Sequence, residues 1–184
     1  VFNGQEVIPA VKAMKDFERV LKRDESFFVV LEVHISQLAR MRKAAREAGK
    51  KMILHADLVQ GLKSDRHAAE FLSQSIKPAG IISTRADMLR IAKKNNILAI
   101  QRMFLLDTLA LHTSYQLART VAPDVIELLP GIIPSYIQKV HEETGLDIIA
   151  GGLIEAEDDV RVAIEAGAKA VTTSRQDLWE AFRA

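Results

Sequence analysis

Six polar residues sit at or near the ends of apolar strand patterns: Glu32, His34, His55, Asp57, Arg102 and Glu127. Alternation along a strand puts Glu32 with His34 on one side, and His55 with Asp57 on one side. Carboxylates, imidazoles and a guanidinium gathered at one place can do three kinds of chemistry. A His or Glu can act as a general base beside a bound substrate. Glu32, His34, His55 and Asp57 can hold a divalent metal. The same groups can also bind the hydroxyls of a polyol phosphate with no bond made or broken. For any one residue, the plainer reading is a helix cap or an ion pair with Arg102. For the set, a small-molecule site is the better reading, and residue type alone does not separate catalysis from binding.

A second constellation lies in residues 147–179. Two short apolar strand patterns, at 147–150 and 170–173, run into loops of small or hydroxylated residues. The first loop is Gly151-Gly152-Leu153, and the second is Thr173-Ser174-Arg175. Glycine lets backbone N–H groups approach an anion, and a following helix N-terminus adds partial positive charge. Either loop alone reads as a tight turn. Two in consecutive strand–helix units read as a phosphate clamp.

Both constellations need a scaffold that brings strand ends together. Apolar strand patterns fall at 6–9, 27–33, 51–55, 80–83, 97–103, 125–129, 147–150 and 170–173, each followed by an amphipathic helical pattern. Strict alternation of strand and helix gives a parallel sheet with right-handed crossovers. Eight units in one series predict an α/β fold, a compact (β/α)8 barrel of the TIM type, as a single domain over residues 1–184. An open doubly wound sheet is the alternative, but no GxGxxG follows the first strand. With 184 residues, 48% of them hydrophobic, the chain can bury a substantial core. It has no cysteine, so disulfides and thiolate chemistry are excluded. No stretch reaches the roughly 18 apolar residues of a membrane span, and no signal peptide is visible, so a cytoplasmic protein without a membrane partner is expected.

The net charge of +1 hides an asymmetry. Residues 1–95 carry 18 Lys/Arg and 11 Asp/Glu, a net of +7; residues 96–184 carry 7 and 13, a net of −6. A predicted helix at 36–48 concentrates the positive charge. Leu38, Met41, Ala45 and Ala48 form its apolar stripe, while Arg40, Arg42, Lys43 and Arg46, with the trailing Lys50, are expected on the other face. Lys12, Lys15, Arg19, Lys22 and Arg23, mixed with Asp16 and Glu18, are expected on the first helix, and Arg90, Lys93 and Lys94 on the fourth. Such rows suit phosphate backbones, though no interleaved aromatics offer a base-stacking platform. A solvated helix face is the plainer alternative.

The segments VIPAVKAMKDFE (7–18), LEVHI (31–35), HADLVQGLKSD (55–65), GIISTR (80–85), IQRMFLLD (100–107), IELLPGIIP (126–134), AGGLI (150–154) and VTTS (171–174) occur in this order. In that combination the chain resembles the glycerol uptake operon antiterminator regulatory protein family, from Glu6 to Trp179. The resemblance implies a regulator, not an enzyme. It would respond to glycerol 3-phosphate as effector, act on the leader mRNA of a glycerol-utilisation operon and prevent termination. No cofactor or metal is implied, and a homo-oligomer is compatible with it. On this reading Gly151, Gly152, Leu153, Thr173 and Ser174 hold the phosphate. Glu32, His55, Asp57, Arg102 and Glu127 read the hydroxyls or close over them. The loop 56–65, with Gly61 as hinge, is a candidate lid. Arg40, Arg42, Lys43, Arg46 and Lys50 are the RNA-binding candidates. Two alternatives stay open: a barrel enzyme acting on a small phosphorylated compound, of phosphodiesterase or isomerase type, and a phosphate-sensing subunit that binds protein.

Overall fold

The computed structural model describes residues 1–183. Among these the strands are β1 (Val7–Val11), β2 (Phe27–Val30), β3 (Val33–His34), β4 (Lys51–His55), β5 (Val59–Gln60), β6 (Gly80–Ser83), β7 (Leu98–Phe104), β8 (Val125–Leu129), β9 (Asp147–Gly151) and β10 (Ala170–Thr173). The helices are α1 (Met14–Leu21), α2 (Leu38–Glu47), α3 (Arg66–Phe71), α4 (Ala86–Lys94), α5 (Thr108–Val121), α6 (Pro134–Thr144), α7 (Glu157–Glu165) and α8 (Gln176–Ala181). Eight strands close in the order β1-β10-β9-β8-β7-β6-β4-β2, every pair parallel. This is the (β/α)8 barrel that the alternation predicts.

Apolar residues fill both sides of the strand ring. Ile8, Val29, Ile53, Ile82, Ile100, Val125, Ile149 and Ala170 pack inside the barrel. Phe2 and Phe27 meet edge to face at 5.4 Å at its lower end. There the Gln5 amide donates to Val7 O and Phe27 O and accepts from Phe27 N, each at 2.9 Å. A second layer, including Phe28, Leu54, Ile81, Ile126, Ile148 and Trp179, packs between strands and helices. Burial on both faces explains why the strands read as nearly continuous aliphatic runs. Helix starts follow local chemistry. Asp107 caps α5 by accepting from Ala110 N at 2.7 Å, Asp65 caps α3 by accepting from Ala68 N at 3.0 Å, and Pro134 opens α6.

Three departures from the sequence pattern matter for function. The predicted strand 27–33 breaks after Val30. Leu31 N still bonds to Val11 O at 3.0 Å, and the chain then leaves the barrel. Val33 and His34 pair instead with Val59 and Gln60, so β3 and β5 form a separate two-stranded parallel sheet. The loop 56–65, expected as a lid, therefore supplies one strand of this small sheet. The second departure is in β1. Ala10 and Val11 pair with Val29 and Val30, which holds residues of helical pattern in a ladder and delays α1 until Met14. Lys12 consequently sits at a strand end and not on a helix. Third, α3 runs into a π-helical turn, Leu72–Ile76, that ends at Lys77 in left-handed backbone, φ +52°.

Candidate functional site

The inward-facing residues turn from aliphatic to polar at the C-terminal ends of the strands. His55 of β4, Arg102 of β7, Glu127 of β8 and Thr172 of β10 form one layer across the barrel. Arg102 and Glu127 are register partners on adjacent strands. Arg102 Nε lies 3.4 Å from Glu127 Oε2, and the other arm of the guanidinium meets His55 Nε2. Glu127 Oε1 accepts from Thr172 Oγ at 3.0 Å. That bond passes over β9, and it can do so because β9 ends in Gly151. A Cβ there would stand 2.5 Å from Thr172 Oγ and 3.1 Å from Glu127 Oε1.

The electrostatics follow from burial. Glu127 is 2% exposed. Burial pushes its carboxyl above the ordinary range, while Arg102 and the Thr172 hydroxyl pull it back. Burial and then the Arg102 charge lower His55 to about 4, against an ordinary 6.5. Neutral His55 accepts from Arg102, so its proton belongs on Nδ1. His55 Nδ1, Arg102 Nε and Glu127 Oε2 have no hydrogen-bond partner. Buried polar atoms left unmatched cost stability, and they mark this layer as a place where ligand groups can complete the hydrogen bonding.

Above this layer opens a cavity of about 320 Å³. Arg102, Glu127 and Thr172 contribute to its wall, and Gly152, Leu153, Thr173 and Ser174 line the side formed by the β9 and β10 loops. Lys12 lies on the same side, because β1 neighbours β10 in the ring. Gly152 and Leu153 both have positive φ, +75° and +60°. Glycine adopts this freely, whereas the 62% exposed Leu153 is strained. Thr173 is held in place: its hydroxyl accepts from Arg175 N at 3.1 Å and donates to Ile154 O at 3.3 Å, and Trp179 Nε1 donates to its carbonyl at 2.8 Å. Arg175 forks onto Asp177 at 2.7 and 2.9 Å and holds that carboxyl down to about 2. Lys12 has no ion pair among the described residues, which leaves it as the uncommitted cation on this side of the cavity.

The structure therefore brings Arg102, Glu127, Gly152, Leu153, Thr173 and Ser174 of the expected site to one cavity. His55 joins from below, through Arg102. Gly151 is the last residue of β9 and not a loop residue; it makes room for the Glu127–Thr172 bond. Asp57 is drawn to β6, where it accepts from Ser83 Oγ at 2.7 Å, Thr84 N at 2.8 Å and Thr84 Oγ at 3.1 Å. Glu32 is exposed beyond the break in β2, away from the cavity wall. His34 caps the turn before α2 by accepting from Ser36 N at 3.2 Å. Among the described residues no three His, Asp or Glu side chains converge as a metal site. Sequence reasoning missed Thr172 and Lys12. Strand parity would have picked Thr172 over Thr173 as the inward residue, and the end of the VIPAV run marked Lys12.

On the flank, Arg40, Arg42, Lys43 and Arg46 lie on the outer part of α2. Arg42 Nε donates to Lys77 O at 2.6 Å, and Lys43 lies 3.8 Å from Glu47. Lys50 turns toward the lower end of the barrel, where its ammonium donates to Glu25 O at 2.8 Å and to Arg23 O.

Residues 7–179 match the model of a family described as glycerol-3-phosphate responsive antiterminator. The chain belongs to this family. It is 48% identical in sequence to the glycerol uptake operon antiterminator regulatory protein of Listeria monocytogenes, whose crystal structure superposes with a TM-score of 0.93 over 96% of this chain and 95% of that one. A glycerol uptake operon antiterminator-related protein from Thermotoga maritima is 29% identical, with a TM-score of 0.83 over 96% and 98% of the two chains. The uncharacterized protein YgcP of Escherichia coli strain K12 is 34% identical over 94% of this chain and 91% of its own length. The likeness in fold to these antiterminator proteins thus extends over nearly the whole chain.

Proposed function

We propose that the chain is a ligand-gated regulator: it binds glycerol 3-phosphate at the barrel mouth and, so loaded, binds the leader mRNA of a glycerol-utilisation operon and prevents termination. The observation that carries the ligand half is the composition of the cavity. One side presents the β9 and β10 loops with Lys12, suited to a phosphate. The floor presents Arg102, Glu127 and Thr172, a set of donors and acceptors suited to two adjacent hydroxyls. A three-carbon polyol phosphate matches that division. The role is regulation without turnover; the family description, a responsive antiterminator, supports the regulatory part.

The test is equilibrium binding of leader RNA with and without glycerol 3-phosphate, at a stated salt concentration. RNA affinity should rise with the ligand and fall back for a scrambled hairpin. Lys12→Met, an exposed change beside the cavity, should weaken ligand binding by about tenfold, in line with loss of one charge-assisted contact. Thermal unfolding should be unmoved. Ligand-independent RNA binding, or full ligand affinity in Lys12→Met, would count against the corresponding half.

A further inference from the structure

A groove of about 300 Å³ runs between α2 and the π-helical turn that follows α3. Arg42, Lys43, Arg46 and Lys77 line it, together with Ala39, Ser75 and Ile76. Four cations share this concavity, and no carboxylate is among its lining residues. Arg46 and Lys77 have no ion pair among the described residues, and Lys43 reaches only Glu47, at 3.8 Å. Cations packed around a concavity repel one another unless an anion joins them. Two local features build the groove. Arg42 donates Nε to the carbonyl of Lys77, which leaves its remaining guanidinium N–H groups for another acceptor. The π-helical turn ends with Lys77 in left-handed backbone, and Lys77 lines the groove together with Arg46. π-Helical turns inside α-helices recur at functional sites.

We propose that this groove seats the phosphate backbone of the RNA, an assignment that rests on the antitermination reading above. Its position favours it over the other basic surfaces. The mouth carries the exposed carboxylate Glu155 in its wall, which repels a polyanion. Around α1 and α8 the arginines are engaged: Arg19 donates to Gln176, Arg23, just after α1, pairs with Glu25 and Glu180, and Arg183, just after α8, pairs with Asp24. On α4, Arg90 faces Asp87 and Lys93 faces Asp124. Both walls of the groove also lead back to the ligand. α2 follows β3 and α3 follows β5, and these two strands pair with each other beside the mouth.

The experiment measures anisotropy of labelled leader RNA with the full chain saturated with glycerol 3-phosphate, across a range of salt concentrations. Arg46→Glu with Lys77→Glu should cost about tenfold or more in affinity. It should also reduce the slope of log affinity against log salt by about 1.5, the share of two phosphate contacts. The neutral pair Arg46→Gln with Lys77→Gln should fall between it and the unaltered chain. Arg90→Glu with Lys94→Glu, an equal charge change on α4, should leave RNA affinity within about twofold. Ligand affinity by calorimetry should be the same in all. If the unaltered chain binds RNA but the groove and α4 pairs lose equally, or the groove pair loses nothing, the groove assignment is overturned and the antitermination reading stands. If the unaltered loaded chain binds no leader RNA, both fall together.

Discussion

Replacing Gly151 with Ala tests the architecture of the mouth at a single atom. Gly151 is extended backbone at the end of β9, so the substitution adds no backbone strain and its effect is steric. The new Cβ would stand 2.5 Å from Thr172 Oγ, nearly an ångström inside contact distance, and 3.1 Å from Glu127 Oε1. Thr172 and Glu127 are both buried, 6% and 2% exposed, and reach open space only through the cavity above them. Relief requires Thr172 to rotate away, which breaks its 3.0 Å bond to Glu127. Glu127 Oε2 already lacks a hydrogen bond, so the carboxylate would then keep only its charge interaction with Arg102. A buried acceptor left unmatched costs about 1–3 kcal/mol, and overpacking a filled site costs a similar amount. The two overlap, which gives about 3 kcal/mol, or a fall in melting temperature of roughly 6–12 °C for a domain of this size. Thermal unfolding by circular dichroism reads it directly, and calorimetry should show ligand affinity falling with it, since Glu127 and Thr172 line the cavity. The double change Gly151→Ala with Thr172→Ala removes the obstructing hydroxyl. Its cost should be well below the sum of the two single changes. A melting temperature within about 2 °C of the unaltered chain, or a strictly additive cycle, would refute the reasoning.

Two further outcomes follow from the same layer. His55 is held neutral in the fold, with its value lowered from 6.5 to about 4. The unfolded chain therefore takes up this proton first, and the stability His55 contributes above pH 6.5 is lost as pH falls toward 4, by about 3 kcal/mol. Glu127, whose value is raised, works in the opposite direction, so the comparison is with His55→Gln: the stability difference between the two chains should narrow by that amount in urea titrations, and a difference independent of pH would oppose it. Asp57→Ala removes the acceptor that ties the β4 loop to Ser83 and Thr84, and should cost about 2 kcal/mol with an unchanged denaturant slope. A loss under about 0.5 kcal/mol would mean that the tether is idle.

The sequence by itself determined the barrel. Eight aliphatic runs alternating with amphipathic helices leave a closed parallel sheet as the natural way to bury both faces of each strand, and the runs' ends mark the mouth. Residue types at those ends, the glycine pair at 151–152 and the hydroxyls at 173–174, were legible for the same reason: periodicity is a local property, and the chain's own pattern reports it. Where two local tendencies compete, the pattern misled. The 27–33 run reads as one strand, but only its first four residues find a barrel neighbour. Residues 10 and 11 read as helix, but β2 holds them extended, which leaves Lys12 at the strand end beside the cavity. Tertiary structure alone decided the partnerships. Glu127 reaches Thr172 over Gly151 because closure sets β8 and β10 on either side of β9. Arg102 reaches His55 across β6, although 47 residues separate them in the chain. Closure likewise draws Asp57 away to Ser83 and Thr84, Lys50 down to the carbonyls below the barrel, and Arg42 across to Lys77. A sequence records which charges exist; which of them are already matched depends on neighbours brought together only when the ring of strands closes.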